Sequence, residues 1–190
     1  MDMIFEKVCK AFDGRTVLKD FSARFPQGSV STVMGPSGGG KTTLLNLMLG
    51  LLKPDSGALK GRPTAPAVVF QEDRLCEQFS AVSNIRLVCG DKVPEERILE
   101  HLALLGLADS AHRPVRELSG GMRRRVALAR AVLYGGDALI LDEAFKGLDP
   151  DTRQTALDYV MAHRGDRTLI CVTHDESEAE FFGGQRVRIG

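Results

Sequence analysis

The sequence predicts an α/β protein with a mainly parallel sheet, an N-terminal antiparallel β portion and an inserted helical lobe. The predicted strands Val30–Met34, Ala138–Leu141 and Arg167–Thr173 are mostly apolar runs without regular alternation, which is typical of parallel strands that are buried on both faces. Apolar and polar residues instead alternate at Ile4–Val8 and Val17–Phe25, which indicates a half-exposed sheet. Helical patterns separate the continuous runs, so the order of elements favours the α/β class.

The helical lobe is predicted because strand signals disappear between about residues 72 and 117. Within this segment Pro94, followed by two glutamates, predicts the start of a helix. Gly106 is suited to end that helix. We therefore expect a single domain with a core formed by residues 1–71 and 118–190, and a helical lobe of about residues 72–117.

Composition excludes some classes of function. The 190 residues include 25 Lys and Arg and 25 Asp and Glu, so the net charge is zero, whereas a general nucleic-acid binder has a basic excess. No apolar run approaches the roughly 20 residues that cross a bilayer, and the first ten residues lack the layout of a secretory signal. We expect a cytoplasmic protein without a nucleic-acid partner. Its four cysteines, which form no C-x-x-C pair, are expected to be buried.

A glycine-rich motif, G-P-S-G-G-G-K-T, follows the predicted strand Val30–Met34 and precedes a predicted helix. Its backbone N–H groups can surround a phosphate chain, Lys41 can reach the outer phosphates, and the Thr42 hydroxyl can ligate Mg²⁺. The alternative, a glycine turn with a chance Lys-Thr pair, is disfavoured by the strand before it and the helix after it. The candidate phosphate-binding residues are Gly35, Pro36, Ser37, Gly38, Gly39, Gly40, Lys41, Thr42 and Thr43.

Polar residues follow other predicted strands. Asp142 and Glu143 close the run Ala138–Leu141; in P-loop NTPases an Asp at this place holds Mg²⁺, and a second carboxylate can polarise water. The alternative, an acidic helix cap, is disfavoured by the glycine-rich motif upstream. Gln71 and His174 also follow strands, but taken alone each is more often solvated or structural.

A second glycine-rich stretch, R-E-L-S-G-G-M-R-R-R, begins at Arg116. It places Ser-Gly-Gly at a predicted helix start, which suits the binding of an anion. Three consecutive arginines span most of a helical turn, so they cannot all face one ligand. We expect some of them to be solvated or paired with acidic residues, and we assign none of them a catalytic role.

Taken in order, these motifs resemble the ATP-binding subunit of an ABC transporter, and the resemblance covers essentially the whole chain. The stretches V-F-Q-E-D-R-L and L-S-G-G-M-R are similar to importer subunits of the nitrate, sulfonate and taurine type. The matching motifs are the P-loop at Gly35–Thr42, the loop glutamine Gln71, the signature Leu118–Met122, the Walker B strand Ala138–Glu143, Asp149 in G-L-D-P and His174 in V-T-H-D.

The resemblance implies a P-loop NTPase fold with a RecA-like core, and a reaction in which ATP is hydrolysed with Mg²⁺. Phe12, which alone would be taken for a core anchor in a turn, matches the aromatic residue that stacks on adenine. The resemblance implies metal ligation by Thr42, Gln71 and Asp142. It also implies that Glu143 is the general base and that His174 contacts the γ-phosphate.

The same resemblance implies a homodimer or pseudo-dimer in which two subunits pair head to tail. The residues that would contact nucleotide held by the partner are Ser119, Gly120, Gly121 and Asp149. A transmembrane permease subunit, and with it a solute-binding protein, would be further partners. The chain would then lie peripherally on the inner face of the cell membrane.

Three departures from the family pattern concern the site. Met122 stands where glutamine is usual, Ala144 where proline is usual, and Lys146-Gly147 where a pair of small residues is usual. Other functions remain possible at this point. They are a soluble ABC ATPase that acts on DNA or ribosomes, a stand-alone cassette of an exporter, and a P-loop kinase for a small molecule. The kinase would leave the signature and His174 unexplained.

Overall fold

The structure, a computed structural model, describes all residues 1–190 and divides into two compact units. The predicted helical lobe, residues 72–117, lies wholly within the second unit. Its boundaries as a lobe remain a prediction. The first unit consists of Met1–Pro66, Gly136–Asp142 and Asp166–Gly190, and the second of Ala67–Gly135 and Glu143–Gly165.

An antiparallel sheet opens the first unit. Strands β1 (Met3–Phe12), β2 (Arg15–Phe25) and β4 (Ser56–Lys60) lie in the order β2-β1-β4. Asp13 and Gly14 form the β1–β2 turn, and both have positive φ, as a two-residue hairpin loop requires. The N-terminal antiparallel portion is therefore confirmed. Phe12 ends β1 instead of lying in the turn.

A parallel sheet forms the centre of the first unit. Strands β6 (Ala138–Asp142), β7 (Thr168–Thr173), β3 (Val30–Met34) and β8 (Gln185–Arg188) lie side by side in that order. Every residue of β6 and β7 is buried, which explains their continuous apolar sequences. The predicted α/β class with a mainly parallel sheet is confirmed.

Two helices of the first unit each follow a parallel strand along the chain. Helix α1 (Lys41–Met48) follows β3 and the glycine-rich loop, where a helix was predicted. Helix α6 (Glu176–Phe182) packs against β3 and β7.

The second unit is mainly helical. It contains strand β5 (Pro66–Val69) apart from Pro66, and helices α2 (Ala81–Cys89), α3 (Glu95–Leu104), α4 (Gly120–Tyr134) and α5 (Pro150–His163). Helix α4 packs against α2, α3 and α5. No helix of the protein combines the length and the hydrophobicity that a bilayer crossing requires.

The four cysteines differ in their surroundings. Cys89 and Cys171 are buried, and burial raises the pKa of both thiols. Cys9 is half-buried and Cys76 is exposed, so the prediction of a buried position is wrong for these two residues.

Asn84 on α2 holds the loop that precedes the helix. Its Oδ1 accepts a hydrogen bond from the Cys76 amide at 2.7 Å. Its Nδ2 lies 3.1, 3.2 and 3.0 Å from the carbonyl oxygens of Cys76, Phe79 and Ser80. The Asn84 side chain itself is only 1% exposed.

We expect Asn84→Ala to lower the free energy of unfolding by about 1–3 kcal/mol, because it removes the hydrogen bonds of a buried side-chain amide and leaves the Cys76 N–H without that acceptor. Denaturant titration followed by circular dichroism measures the change. Ser83→Ala is a matched control, since Ser83 is exposed and its hydroxyl bonds only Ser80, with an expected change of about 0.5 kcal/mol or less. Equal effects of the two substitutions would contradict the assigned role of Asn84.

Candidate functional site

The loop that follows β3 is shaped by glycine. A Cβ atom on Gly35 would lie 2.2 Å from the Ile189 carbonyl oxygen, so no other residue fits there. Gly40 has a φ of 96°, which favours glycine, and it immediately precedes α1. The Gly39 amide donates to the Pro36 carbonyl at 3.1 Å and closes the loop on itself. The loop is thus a compact backbone turn at a helix start.

Helix α1 presents its positive end to this loop. Gly40 has no side chain to cap the helix, so the first N–H groups can bind an anion. The buried Lys41 ammonium donates to the carbonyl oxygens of Gly35 at 2.8 Å and Pro36 at 2.9 Å. An ammonium has three N–H groups, so one remains for a further acceptor. The exposed Thr42 and the half-buried Thr43 follow in the first turn.

The strand register brings three candidate positions to one edge of the parallel sheet. Met34, the last residue of β3, pairs with Thr173 of β7, and Asp142, the last of β6, pairs with Val172. The glycine-rich loop, Asp142 and His174 therefore all follow the carboxyl ends of neighbouring strands, where α/β proteins bind their ligands. Asp142 is 6% exposed, and His174 is exposed.

Phe12 is an exposed aromatic residue of the first unit. Its ring is 42% exposed at the end of β1, and the Lys10 ammonium lies 5.4 Å from the ring centroid. A core anchor would be buried, so that interpretation of Phe12 is wrong. The residue is therefore partly exposed to solvent at the end of β1.

Glu143 belongs to the second unit and adopts an unusual backbone conformation. Its φ is 46°, in the left-handed region that side-chain-bearing residues rarely adopt. The Lys146 amide donates to the Glu143 carbonyl at 3.2 Å, and the Lys146 ammonium lies 3.2 Å from Glu143 Oε2. Lys146 is one of the three departures from the family pattern, and it pairs with the candidate general base.

The signature serine caps a long helix. Ser119 Oγ accepts a hydrogen bond from the Met122 amide at 3.2 Å, at the N-terminus of the 15-residue helix α4. A Cβ atom on Gly120 would have no heavy atom within 4 Å, and one on Gly121 would meet only Leu148 Cδ2, at 3.4 Å. The helix end is thus open to close approach by a ligand, and its dipole favours an anion.

Asp149 also caps a helix. Its Oδ1 accepts from the Thr152 amide at 3.0 Å at the start of α5. This backbone hydrogen bond, with that of the Thr152 side chain, lowers the pKa of the exposed Asp149 carboxyl. The residue therefore carries a negative charge at neutral pH and has a structural role in addition to any contact with a ligand.

Gln71 is exposed and lies two residues after β5. Its backbone is held by Arg124, a residue that the sequence did not indicate for this role. The Arg124 guanidinium donates to the carbonyl oxygens of Phe70, at 2.6 Å, and Gln71. Its Nε lies 3.2 Å from the Asp73 carboxylate. The expectation that some of the three arginines pair with acidic residues is confirmed for Arg124. The sequence shows an acidic residue, Asp73, close to Gln71, but no rule of sequence spacing predicts that it pairs with a residue of α4.

The donor set fits a magnesium ion that arrives with a nucleotide. Mg²⁺ prefers oxygen ligands and is usually held by one or two side chains together with phosphates and water. Thr42 and Asp142 offer a hydroxyl and a carboxylate. No cluster of three or more His, Cys, Asp or Glu side chains could hold a metal ion on its own. Such a donor set suits an ion bound jointly with substrate.

Comparison with known proteins gives one family. A family model described as "ABC transporter" matches residues 18–146. The chain is 42% identical over 172 residues to the aliphatic sulfonates import ATP-binding protein SsuB 1 of Rhodococcus jostii, covering 86% of this chain and 69% of that protein. It is 35% identical over 188 residues to the taurine import ATP-binding protein TauB of Yersinia pestis, covering 92% and 74%.

A solved structure shares the fold. The dimeric structure of MJ0796, a bacterial ABC transporter cassette, superposes with a TM-score of 0.85 at 26% identity. The match covers 98% of this chain and 94% of that one. The ABC ATPase fold expected from the order of the motifs is confirmed.

Proposed function

The chain belongs to the ABC transporter family as an ATP-hydrolysing subunit, and on that premise we propose that it powers a membrane importer through the residues described above. One observation carries the proposal. The P-loop and His174 follow the carboxyl ends of β3 and β7, and Asp142 ends β6. Met34, just before the P-loop, and Asp142 pair with neighbouring residues of β7. Such an edge suits a nucleotide phosphate chain.

In this proposal the P-loop binds the phosphates of Mg-ATP. The backbone N–H groups between Gly35 and Gly40, with the α1 dipole, contact phosphate oxygens, and the third N–H of Lys41 reaches the outer phosphates. Ser37, Thr42 and Thr43 add hydroxyl groups. Phe12 stacks on the adenine ring, which its exposed position supports.

Thr42, Gln71 and Asp142 are proposed to hold Mg²⁺, which when bound would supply positive charge beside the phosphates. Glu143 accepts the proton of the attacking water, and its strained backbone is consistent with a functional position. His174 donates a hydrogen bond to the γ-phosphate. The rate enhancement then comes mainly from positioning and charge stabilisation.

We further propose a head-to-tail dimer in which each subunit completes the partner's site. The open N-terminus of α4, at Ser119, Gly120 and Gly121, contacts the γ-phosphate held by the partner. Asp149 lies at the start of α5 and contacts the same nucleotide from its helix cap. ATP thereby joins the two subunits, and hydrolysis releases them. The dimeric MJ0796 cassette supports this arrangement.

The proposed direction of transport is import, with a permease subunit in the membrane and a solute-binding protein outside. Both relatives reported above are named for import, one of aliphatic sulfonates and one of taurine. Taurine is itself a sulfonate, so an organosulfonate is the proposed cargo. The chain would bind the inner face of the membrane through the permease.

A transport assay tests this function. We expect cells that lack the chain to lose ATP-dependent uptake of labelled taurine or alkanesulfonate, and the wild-type chain, but not Lys41→Ala, to restore it. Affinity capture from detergent-solubilised membranes should recover a multi-span permease. A loss of efflux with unchanged uptake, or ATPase stimulation by DNA in place of permease capture, would contradict the proposal.

A further inference from the structure

Two arginines of α4 bind the backbone of residues 70–74, here called the glutamine loop. Arg124 donates from Nη1 to the Phe70 carbonyl at 2.6 Å and from Nη2 to the Gln71 carbonyl. Arg130 donates from Nη1 to the Arg74 carbonyl at 2.7 Å and from Nη2 to the Asp73 carbonyl at 2.9 Å. Four of the five carbonyl groups of the glutamine loop therefore accept a guanidinium hydrogen bond.

Arg124 makes a third contact that fixes its orientation. Its Nε lies 3.2 Å from Asp73 Oδ1, and the two side chains are 10% and 22% exposed. A largely buried guanidinium is stable only with such charge and hydrogen-bond partners. Its planar fork holds the two carbonyls and the carboxylate in one geometry, which the single point charge of lysine cannot reproduce.

The glutamine loop is also closed on itself. Arg74 has a φ of 47°, a conformation that costs free energy for a residue with a side chain. Its guanidinium lies 3.7 Å from the centroid of the Phe70 ring. A compact loop held at both ends by one helix moves with that helix.

We propose that Arg124 is a positioning residue that ties Gln71 to helix α4, so that a displacement at Ser119–Gly121 is transmitted to Gln71. Arg124 lies five residues after Ser119, about 7.5 Å along the helix. The inference rests on the proposed function, in which Gln71 acts on the subunit's own nucleotide and Ser119 on the partner's. Arg124 then couples the two nucleotide sites of a dimer through a continuous set of hydrogen bonds.

A double-mutant cycle on kcat tests the coupling. Arg124→Ala is expected to lower kcat by about tenfold through misplacement of Gln71. The KM for ATP should change by about twofold or less, since the P-loop is untouched. Adding Gln71→Ala to Arg124→Ala should lower kcat little further, because both changes remove the same interaction. If the two losses multiply, the positioning role is overturned.

Arg124→Lys distinguishes a loss of positioning from misfolding, because it keeps a cation beside Asp73. It is expected to melt near the wild-type temperature and still to lose most of the kcat that Arg124→Ala loses. Arg123→Ala is the matched control on the same helix, since Arg123 bonds only the Leu118 carbonyl, at 3.5 Å, and it should leave kcat unchanged. Wild-type kcat in Arg124→Lys overturns the proposal.

Hydrogen exchange directly measures how firmly Arg124 holds the glutamine loop. Amides in a peptide covering residues 70–75 should exchange faster in Arg124→Lys than in wild type and Arg123→Ala; unchanged exchange overturns the proposal. Failure of the proposed function and failure of the inference about Arg124 would give different results. If Gln71→Ala alone leaves kcat unchanged, the role of Gln71 in the proposed function fails and the inference fails with it. If Gln71→Ala lowers kcat but multiplies with Arg124→Ala, the inference alone fails.

Discussion

Glu143→Gln is expected to lower kcat for ATP hydrolysis by about 10² to 10⁴-fold while leaving ATP binding nearly intact. The amide occupies the same space as the carboxylate but cannot accept a proton from the attacking water, and general-base catalysis contributes an effect of this size. ATP affinity is set by the P-loop, which the substitution leaves alone. A coupled phosphate-release assay gives kcat, and calorimetry gives the dissociation constant.

The same variant should accumulate as an ATP-bound dimer, with a mass of about twice the 20.7 kDa monomer by light scattering. Glu6→Gln is the matched control, because Glu6 is an exposed carboxylate that pairs with Lys60 on the antiparallel sheet. It should retain wild-type kcat. Near-normal turnover in Glu143→Gln would contradict the assignment of the base.

Lys41→Ala is expected to abolish most activity by a different route, through loss of nucleotide binding and of transition-state stabilisation. The substitution removes the cation proposed to contact the outer phosphates, and a charge-assisted hydrogen bond contributes about 1.5–3 kcal/mol. We therefore expect the dissociation constant for ATP to rise by about 10 to 10²-fold. The kcat should fall further still, because the charge on the transferred phosphoryl group is no longer stabilised.

The control for this variant must separate binding from folding, because Lys41 also bonds the carbonyls of Gly35 and Pro36. Thermal melting of Lys41→Ala shows whether the loop has collapsed. Lys53→Ala removes an exposed lysine shortly after α1 and should leave both affinity and kcat unchanged. If Lys41→Ala is folded and still binds ATP with wild-type affinity, the proposed role of the P-loop in ATP binding is contradicted.

The elements that depend on local sequence were predictable. The glycine-rich loop is contiguous in the chain, and its function depends on backbone conformation that glycine and the neighbouring helix determine. Asp142 and His174 were candidates because they lie at or after the ends of predicted strands and match motifs of the family, and the register brings Asp142 to the same sheet edge as the loop. The order of the motifs predicted the family, which the comparisons confirm.

Features that depend on tertiary contacts were not predictable. Strands β4 (S-G-A-L-K) and β8 (Q-R-V-R) are short and have no continuous apolar run. The bonds of Arg124 depend on which face α4 turns toward a loop 53 residues earlier in the chain. Asn84 was likewise missed, because a buried amide and an exposed one look the same in a sequence.

Mixing two damaged subunits tests the shared nucleotide site most directly. Lys41→Ala and Ser119→Arg should each be inactive as homodimers. In a mixed dimer one composite site carries both lesions and the other carries none. When equal amounts of the two variants exchange subunits freely, half of the dimers are mixed and each mixed dimer has one intact site. The mixture should therefore recover about one quarter of wild-type ATPase activity.

The matched control is a mixture of Lys41→Ala with Glu143→Gln. Both residues are proposed to act on the subunit's own nucleotide, so each site of this mixed dimer keeps one lesion and no activity should return. Recovery with Ser119→Arg and none with Glu143→Gln is the predicted result. A Lys41→Ala and Ser119→Arg mixture no more active than the mean of its two homodimers would contradict the account.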